Sequence, residues 1–228
     1  MDYVIIDQPD RTAFYVAAIA ICASAAIVAT ARGRRRGVYV LKPLTTLLIL
    51  LLAWYHSPLL PVPVTLVIAG LVFSLAGDVF LMLPNDRFVA GLVAFLIAHL
   101  LYIGAFTDGW AVPRATGWVI VPFLVYAAVL LWILLPHVPR ALKAAVIVYA
   151  AALLVMAWQA AERGAAGLSS GVLAALGGVL FVISDSALAL DRFRRPFPGA
   201  QPLVLATYWA AQTLIALSIG GGITYRRL

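Results

Sequence analysis

The chain has 228 residues, of which 64% are hydrophobic and 11% are charged, and its mean hydropathy is +1.05. Soluble domains are typically about half apolar and about a quarter charged, so the polar residues here are too few to coat a water-soluble particle. The net charge of +7 does not indicate a nucleic-acid-binding surface, because the basic residues lie between apolar runs rather than on one amphipathic face. We therefore expect an all-α, polytopic integral membrane protein that contacts membrane lipids and no nucleic acid.

Apolar runs follow one another along the whole chain. A transmembrane helix needs about 20 mostly apolar residues, and about eight runs approach that length. The predicted spans are residues 12–31, 38–55, 64–83, 88–106, 116–135, 141–161, 168–190 and 202–220. The connections are short and no soluble domain is visible. We therefore predict one membrane domain over residues 1–228, with consecutive helices packed antiparallel.

The basic residues predict how this bundle is oriented. Short cytoplasmic loops of membrane proteins carry an excess of Lys and Arg. Eleven of the 16 basic residues lie in or beside the odd-numbered connections, namely Arg32, Arg34, Arg35, Arg36, Lys42, Arg87, Arg140, Lys143, Arg192, Arg194 and Arg195. The others are Arg11, Arg114, Arg163, Arg226 and Arg227. The odd connections should therefore face the cytoplasm, with both termini outside. We expect a multi-pass protein of the bacterial inner membrane.

Two aspartates, Asp78 and Asp185, lie inside predicted spans rather than in loops. An aspartate at mid-membrane costs about 2.5–3.5 kcal/mol on insertion scales, and such residues usually face a bundle interior or a watery cavity. Each is followed by about one or two helical turns before a cytoplasmic connection, so their depths should match. If the third and seventh helices are neighbours, the two carboxyls would meet in one cavity in the cytoplasmic half of the membrane.

A weak internal echo accompanies these aspartates. Gly70 precedes Asp78 by the same eight positions by which Gly177 precedes Asp185. Further on, residues 86–88 and residues 191–193 both read Asp-Arg-Phe. A parallel duplication of a four-helix unit, giving a 4+4 repeat, would explain the echo. The easy alignment of apolar helices that contain Gly and Phe explains it equally well.

Several other polar residues are candidates to join the same cavity and bind a substrate. They are Lys42, Asn85, His99, Tyr102, Tyr208 and Gln212. His99 and Tyr102 share a helix face at i, i+3, and Tyr208 and Gln212 share one at i, i+4.

Each candidate also has an ordinary structural explanation. Lys42 could extend to lipid headgroups, and Asn85 could end a helix or form a turn. His99 could be a hydrogen-bonded packing residue, and Tyr102 and Tyr208 could be interfacial or interhelical anchors. For the two aspartates the alternative is interhelical pairing, for example with Lys42.

Two carboxyls in a low-dielectric cavity suit general acid–base catalysis, because one can remain protonated while its partner is ionised. Metal catalysis fits poorly. His56 and His137 are expected on opposite sides of the membrane, so these two do not readily converge with His99 on one zinc ion. A serine hydrolase also fits poorly, because the sequence offers no credible serine–histidine pair. We therefore expect no metal and no cofactor.

Five segments in this order resemble the YhhN/TMEM86 family, the lysoplasmalogenases. They are KPLTT at residues 42–46, GDVFLM at 77–82, AHLLY at 98–102, SDSALA at 184–189 and TYWAAQ at 207–212. The resemblance covers nearly the whole chain and implies an eight-helix membrane hydrolase. It further implies cleavage of the vinyl ether bond of a lysoplasmalogen, which yields a fatty aldehyde and glycerophospho-choline or -ethanolamine. The family is distantly similar to the zinc-dependent alkaline ceramidases, whose zinc histidines have no evident counterpart here.

The family's acidic positions correspond to Asp78 and Asp185. Hydrolysis of a vinyl ether begins with protonation of the β-carbon, so one aspartate would be the acid and the other a stabiliser or base. Lys42 and Asn85 would bind the substrate phosphate, and Tyr208 and Gln212 would position water or the glycerol. Three alternatives remain: a proton- or cation-coupled transporter of a lipid or small solute, a lysolipid ester or amide hydrolase, and a structural membrane protein.

Overall fold

The computed structural model describes residues 9–56, 62–107, 118–167 and 170–219. Within these ranges the chain forms eight α-helices and no β-strand. Arg114, Arg226 and Arg227 lie outside the described residues, as do position 220 and the first two positions of the fifth and seventh predicted spans. The prediction of an all-α membrane bundle is confirmed. The 4+4 repeat of a four-helix unit stays a prediction.

The helices follow the apolar runs of the sequence. Their bounds are α1 Pro9–Ala31, α2 Arg35–His56, α3 Val62–Met82, α4 Phe88–Phe106, α5 Ile120–Leu134, α6 Lys143–Ala165, α7 Gly171–Ala189 and α8 Ala200–Ser218. A single 3₁₀ turn, Arg140–Leu142, precedes α6. A π turn, Leu190–Arg194, extends α7 at its carboxyl end.

Six of the described helices, α1–α4, α6 and α7, are long and apolar enough to cross a membrane. The fifth helix is apolar but has only 15 described residues. The eighth has 19 residues and contains Tyr208, Trp209 and Gln212, all of them buried. Large apolar side chains such as Phe14, Ile21 and Trp132 are exposed, as expected where lipid rather than water surrounds the helices.

The eighth helix lies inside the bundle and packs on α7, α1, α2 and α3. The main partners of α3 are α4 and α2, and those of α7 are α8 and α6. Close packing depends on small residues, because helices in lipid associate through van der Waals contact rather than a hydrophobic driving force. A Cβ added at Gly177 would lie 2.9 Å from Cγ1 of Ile215 and 3.0 Å from the carbonyl oxygen of Ala211, so α8 approaches α7 closely there.

Candidate active site

Asp78, near the carboxyl end of α3, is 1% exposed and binds side chains from two other helices. The hydroxyls of Thr46 and Tyr208 donate to its Oδ2 atom, at 2.6 and 2.9 Å. Nζ of Lys42 lies 3.3 Å from Oδ1. Trp209 completes the cluster by donating from its indole nitrogen to Oγ1 of Thr46 at 3.2 Å. Residues of α2, α3 and α8 thus meet at one buried carboxylate.

Lys42 compensates the charge of Asp78. Its side chain is only 12% exposed, so its ammonium group is mostly removed from solvent. It lies seven positions after the first residue of α2, about 10 Å along the helix axis, and not at the helix end. Interhelical pairing, which was the alternative to a catalytic role for the aspartates, is therefore present at Asp78. The Lys42 amine contacts this carboxylate and is directed into the bundle.

Asp185 on α7 has a different environment. It is partly exposed, and the hydroxyl of Tyr149 on α6 donates to its Oδ2 atom at 2.5 Å. Among the described residues no lysine or arginine forms an ion pair with it. The neighbouring Ser186 accepts a hydrogen bond from Tyr126 of α5, at 2.8 Å. The two aspartates therefore differ in both charge compensation and access.

A partly open apolar cavity lies beside Asp185. Side chains of α3 to α7 and of the π turn line it. They are Leu81, Phe88, Leu92, Phe95, Leu130, Leu131, Leu134, Val146, Tyr149, Ala150, Leu153, Asp185, Ser186, Leu188, Ala189 and Phe193. A carboxyl at the wall of a cavity lined mainly by Leu, Phe and Ala is suited to act on a bond within or beside a hydrocarbon chain.

Asp78 is not among the residues that line this cavity. We expected the two carboxyls to share one cavity if α3 and α7 were neighbours. In the described structure α3 packs mainly on α4 and α2, and α7 packs mainly on α8 and α6, so the two carboxyls have separate surroundings. A chain of aromatic rings connects the two sites instead. The ring centroids of Tyr208 and Phe181 are 5.6 Å apart, those of Phe181 and His99 are 4.8 Å apart, and those of His99 and Tyr149 are 5.2 Å apart.

Polar atoms without partners lie along this aromatic chain. His99 is fully buried, and neither of its ring nitrogens has a hydrogen-bond partner among the described residues. The amide nitrogen of Gln212 is likewise unpaired, although its Oε1 atom accepts a hydrogen bond of 2.7 Å from Tyr102. Leaving such groups unsatisfied costs about 1–3 kcal/mol each, so a small polar molecule would find both donors and acceptors here.

The remaining candidate, Asn85, lies apart from both aspartates. It is exposed in the turn between α3 and α4, with φ of 75°, and Asp86 follows with φ of 47°. Asn and Asp tolerate this left-handed backbone better than other non-glycine residues. The turn that Asn85 forms therefore accounts for the residue type.

Thr46 and Tyr149 are site residues that were not assigned from the sequence. Thr46 belongs to the KPLTT segment, but a threonine in an apolar helix usually bonds its own backbone. Tyr149 lies in the middle of an apolar run, away from the usual interfacial position of tyrosine. That central position was the available signal.

The histidines are dispersed. His56 ends α2, His99 lies within α4, and His137 follows α5. In the part of the chain that the structure describes, no three His, Cys, Asp or Glu side chains form a group that could bind a metal ion.

Comparison with known proteins identifies the family. The model of the YhhN family matches residues 37–219. Lysoplasmalogenase TMEM86B of Sus scrofa is 39% identical over 150 residues, which are 66% of this chain and 61% of that protein. Lysoplasmalogenase TMEM86A of Bos taurus is 38% identical over 161 residues, 68% of this chain and 65% of that protein. The chain thus spans less than two thirds of the length of these mammalian relatives.

A bacterial relative matches over nearly its whole length. The membrane protein YhhN of Escherichia coli O157:H7 is 33% identical over 210 residues, which are 88% of this chain and 97% of that protein. No solved structure matches. The matched region contains both aspartates, the Lys42–Asp78 ion pair and the cavity beside Asp185. The chain belongs to the YhhN family of integral membrane proteins.

Proposed function

We propose that this chain is an intramembrane hydrolase that cleaves the vinyl ether bond of lysoplasmalogens, releasing a fatty aldehyde and glycerophospho-choline or -ethanolamine. Two relatives at 38–39% identity bear the name lysoplasmalogenase. The observation that carries the proposal is the position of Asp185, a carboxyl at the wall of an apolar cavity. A lysoplasmalogen joins a hydrocarbon chain to its polar part through the bond to be cleaved, which matches an acid at the side of a hydrocarbon-binding cavity.

The first step assigned to Asp185 is proton transfer to the carbon β to the ether oxygen. The C=C electron pair forms the new C–H bond, and the α-carbon becomes part of an oxocarbenium ion. Asp185 fits this role better than Asp78, because no cation pairs with it among the described residues and it reaches the cavity. The carboxylate left after proton transfer then lies beside the cation and stabilises it in a low-dielectric site. Tyr149 orients the carboxyl through its hydrogen bond.

The second step is the addition of water to the oxocarbenium carbon. We assign the binding of this water to the unpaired nitrogens of His99 and Gln212. Tyr208, which donates to Asp78 and packs edge-on against the cavity residue Phe95, takes the proton released and passes its own to Asp78. The hemiacetal then gives its hydroxyl proton to the Asp185 carboxylate as the aldehyde C=O forms, and the glycerol oxygen leaves with the proton that Asp78 returns through Tyr208. The sum consumes one water and regenerates both carboxyls.

The site would lie in the cytoplasmic half of a bacterial cell membrane. Asp78 and Asp185 both lie near the carboxyl ends of their helices, and the connections that follow carry Arg87, Arg192 and Arg194. The excess of basic residues in these connections supports a cytoplasmic location. A single-chain lysolipid in that leaflet could enter from the bilayer.

The test is aldehyde release by the purified protein in detergent, where no gradient can drive transport. Lysoplasmenyl-choline and -ethanolamine should give equal amounts of fatty aldehyde and water-soluble glycerophosphodiester. Asp185→Asn and Asp78→Asn should lose this activity while eluting as folded protein. Failure to release aldehyde from any vinyl ether lysolipid contradicts the proposal. Faster consumption of the matched ester-linked lysolipid would identify an ester hydrolase instead.

A further inference from the structure

Arg192 lies at the mouth of the cavity beside Asp185. Its Cζ atom is 4.9 Å from the ring centroid of Phe88, and Phe88 lines the cavity. Phe88 in turn packs edge-on against Phe193, another lining residue, at 5.6 Å between centroids. The guanidinium group therefore rests on the aromatic rim of the cavity, with its side chain 43% exposed.

Arg192 follows Asp185 by seven positions, in the π turn that extends α7. The two residues are therefore about two helical turns apart, or about 10 Å along the axis. Ala189, between them, lines the same cavity. This separation is close to the reach of an extended glycerol phosphate. A lysolipid with its vinyl ether beside Asp185 would thus bring its phosphate to the level of Arg192.

The present partner of Arg192 is Asp86, in the turn between α3 and α4. Nη2 of Arg192 lies 2.5 Å from Oδ2 of Asp86, and the Asp86 side chain is 64% exposed. Exposed ion pairs contribute little to stability, whereas arginine binds phosphate oxygens through two parallel hydrogen bonds. A phosphate can therefore replace the Asp86 carboxylate at little cost. Lys42, the other basic candidate, is committed to Asp78 inside the bundle.

We propose that Arg192 recognises the phosphate of a lysophospholipid whose chain occupies the cavity, and that Asp86 holds the guanidinium at the cavity mouth until the phosphate displaces it. The inference rests on the proposed function for the identity of the lipid, but it concerns binding and not bond cleavage. It assigns a role to the Asp-Arg-Phe echo: Asp86 and Phe88 of one copy contact Arg192 and Phe193 of the other.

The test measures binding of an alkyl-ether lysophosphatidylcholine, which has no vinyl ether to hydrolyse, to the full chain in detergent. Arg192→Gln should raise Kd about tenfold or more, as expected for loss of a charge-assisted contact. Asp86→Asn should lower Kd about two- to fivefold, because it frees the guanidinium from an exposed ion pair. Asn tolerates the left-handed backbone at this position, so the turn is retained. Arg194→Gln removes a neighbouring exposed arginine and should leave Kd unchanged.

The opposite directions of these two changes in Kd distinguish phosphate recognition from an ion pair with a purely structural role. If the ion pair only fastens the two turns together, Asp86→Asn and Arg192→Gln will weaken binding equally, and the inference fails. An alkylglycerol of the same chain length, which lacks phosphate, should bind all four proteins alike; weaker binding to Arg192→Gln overturns the assignment. Inorganic phosphate should not compete at the lysolipid's concentration, since competition would indicate a free-phosphate site.

This outcome is independent of the hydrolase assay. If the protein releases no aldehyde but the two variants change Kd in opposite directions, the phosphate site is supported and the proposed reaction is not. If the protein releases aldehyde and Arg192→Gln binds like wild type, the reaction is supported and the phosphate site is not.

Discussion

The ammonium group of Lys42 on α2 and the carboxylate of Asp78 on α3 form an ion pair within the bundle, with Nζ 3.3 Å from Oδ1. Removing one member of a buried pair is costly because it leaves the other charge uncompensated. Lys42→Met should therefore lower the free energy of unfolding by about 3–5 kcal/mol. Adding Asp78→Asn should restore most of the loss, although not the activity. Thermal unfolding in detergent measures both.

Lys143→Met is the matched control, since Lys143 begins α6 and forms no ion pair within the described ranges. It should unfold like wild type. Equal Tm values for Lys42→Met and Lys143→Met would mean that the pair with Asp78 adds nothing to stability.

The assignment of Asp185 as the acid predicts a graded loss of activity. Asp185→Asn should reduce aldehyde release about 10²- to 10⁴-fold, the usual contribution of general acid–base catalysis. Tyr149→Phe removes only the hydrogen bond that orients the carboxyl, and should reduce kcat about tenfold. Tyr126→Phe breaks the comparable bond to the adjacent Ser186 and should retain nearly full activity. A Tyr126→Phe loss as large as that of Tyr149→Phe would argue for general loosening around α7.

The cavity beside Asp185 should set the accepted chain length. Ala150 of α6 lines it, so Ala150→Leu fills part of the space that a long alkenyl chain would occupy. We expect kcat/KM for long-chain substrates to fall about tenfold while that for the shortest substrate changes little, because hydrophobic pockets discriminate by about that factor. The control is Val172→Leu, at an exposed position of α7. An equal loss of kcat/KM for all substrate lengths would mean that the hydrocarbon chain of the substrate binds elsewhere.

His99→Leu should separate stability from activity. Both ring nitrogens of His99 are buried without a partner among the described residues, so an apolar side chain of similar size should leave Tm unchanged or raise it. If these nitrogens bind the hydrolytic water, kcat should fall about 10²-fold. Tm and kcat are measured on the same preparation. A large fall in Tm would show that His99 is a structural packing residue, and an unchanged kcat would remove it from the reaction.

Gly70 allows Tyr102 to pack directly against the backbone of α3. A Cβ added there would lie 2.2 Å from Cε1 of Tyr102, which must shift and so lose its hydrogen bond to Gln212. Gly70→Ala should therefore cost about 1–3 kcal/mol, the usual cost of overpacking. At Gly104 the nearest atom is the end of a flexible side chain, Cδ1 of Leu66, at 3.2 Å. Gly104→Ala should consequently be milder in thermal unfolding, and the reverse order would contradict this account.

The sequence identified the class of protein and the two unusual residues without any structure. Lipid as the solvent follows from the 64% apolar content, and a charge inside an apolar run can be detected directly because its insertion cost depends on that run alone. Asp78 and Asp185 were singled out in this way. The family followed from short segments in a fixed order, which are also local features of the chain.

The tertiary structure determined what each aspartate contacts. Lys42 could have extended to headgroups, but its place two turns into α2 directs it to Asp78. Tyr149, 36 positions before Asp185, and Asp86, 106 positions before Arg192, could not be paired from sequence. Hydropathy depends on neighbours along the chain, whereas such pairings depend on which helices pack together, at what depth and with which faces. The same packing gives Asp185 an apolar cavity and leaves Asp78 enclosed by Thr46, Lys42 and Tyr208.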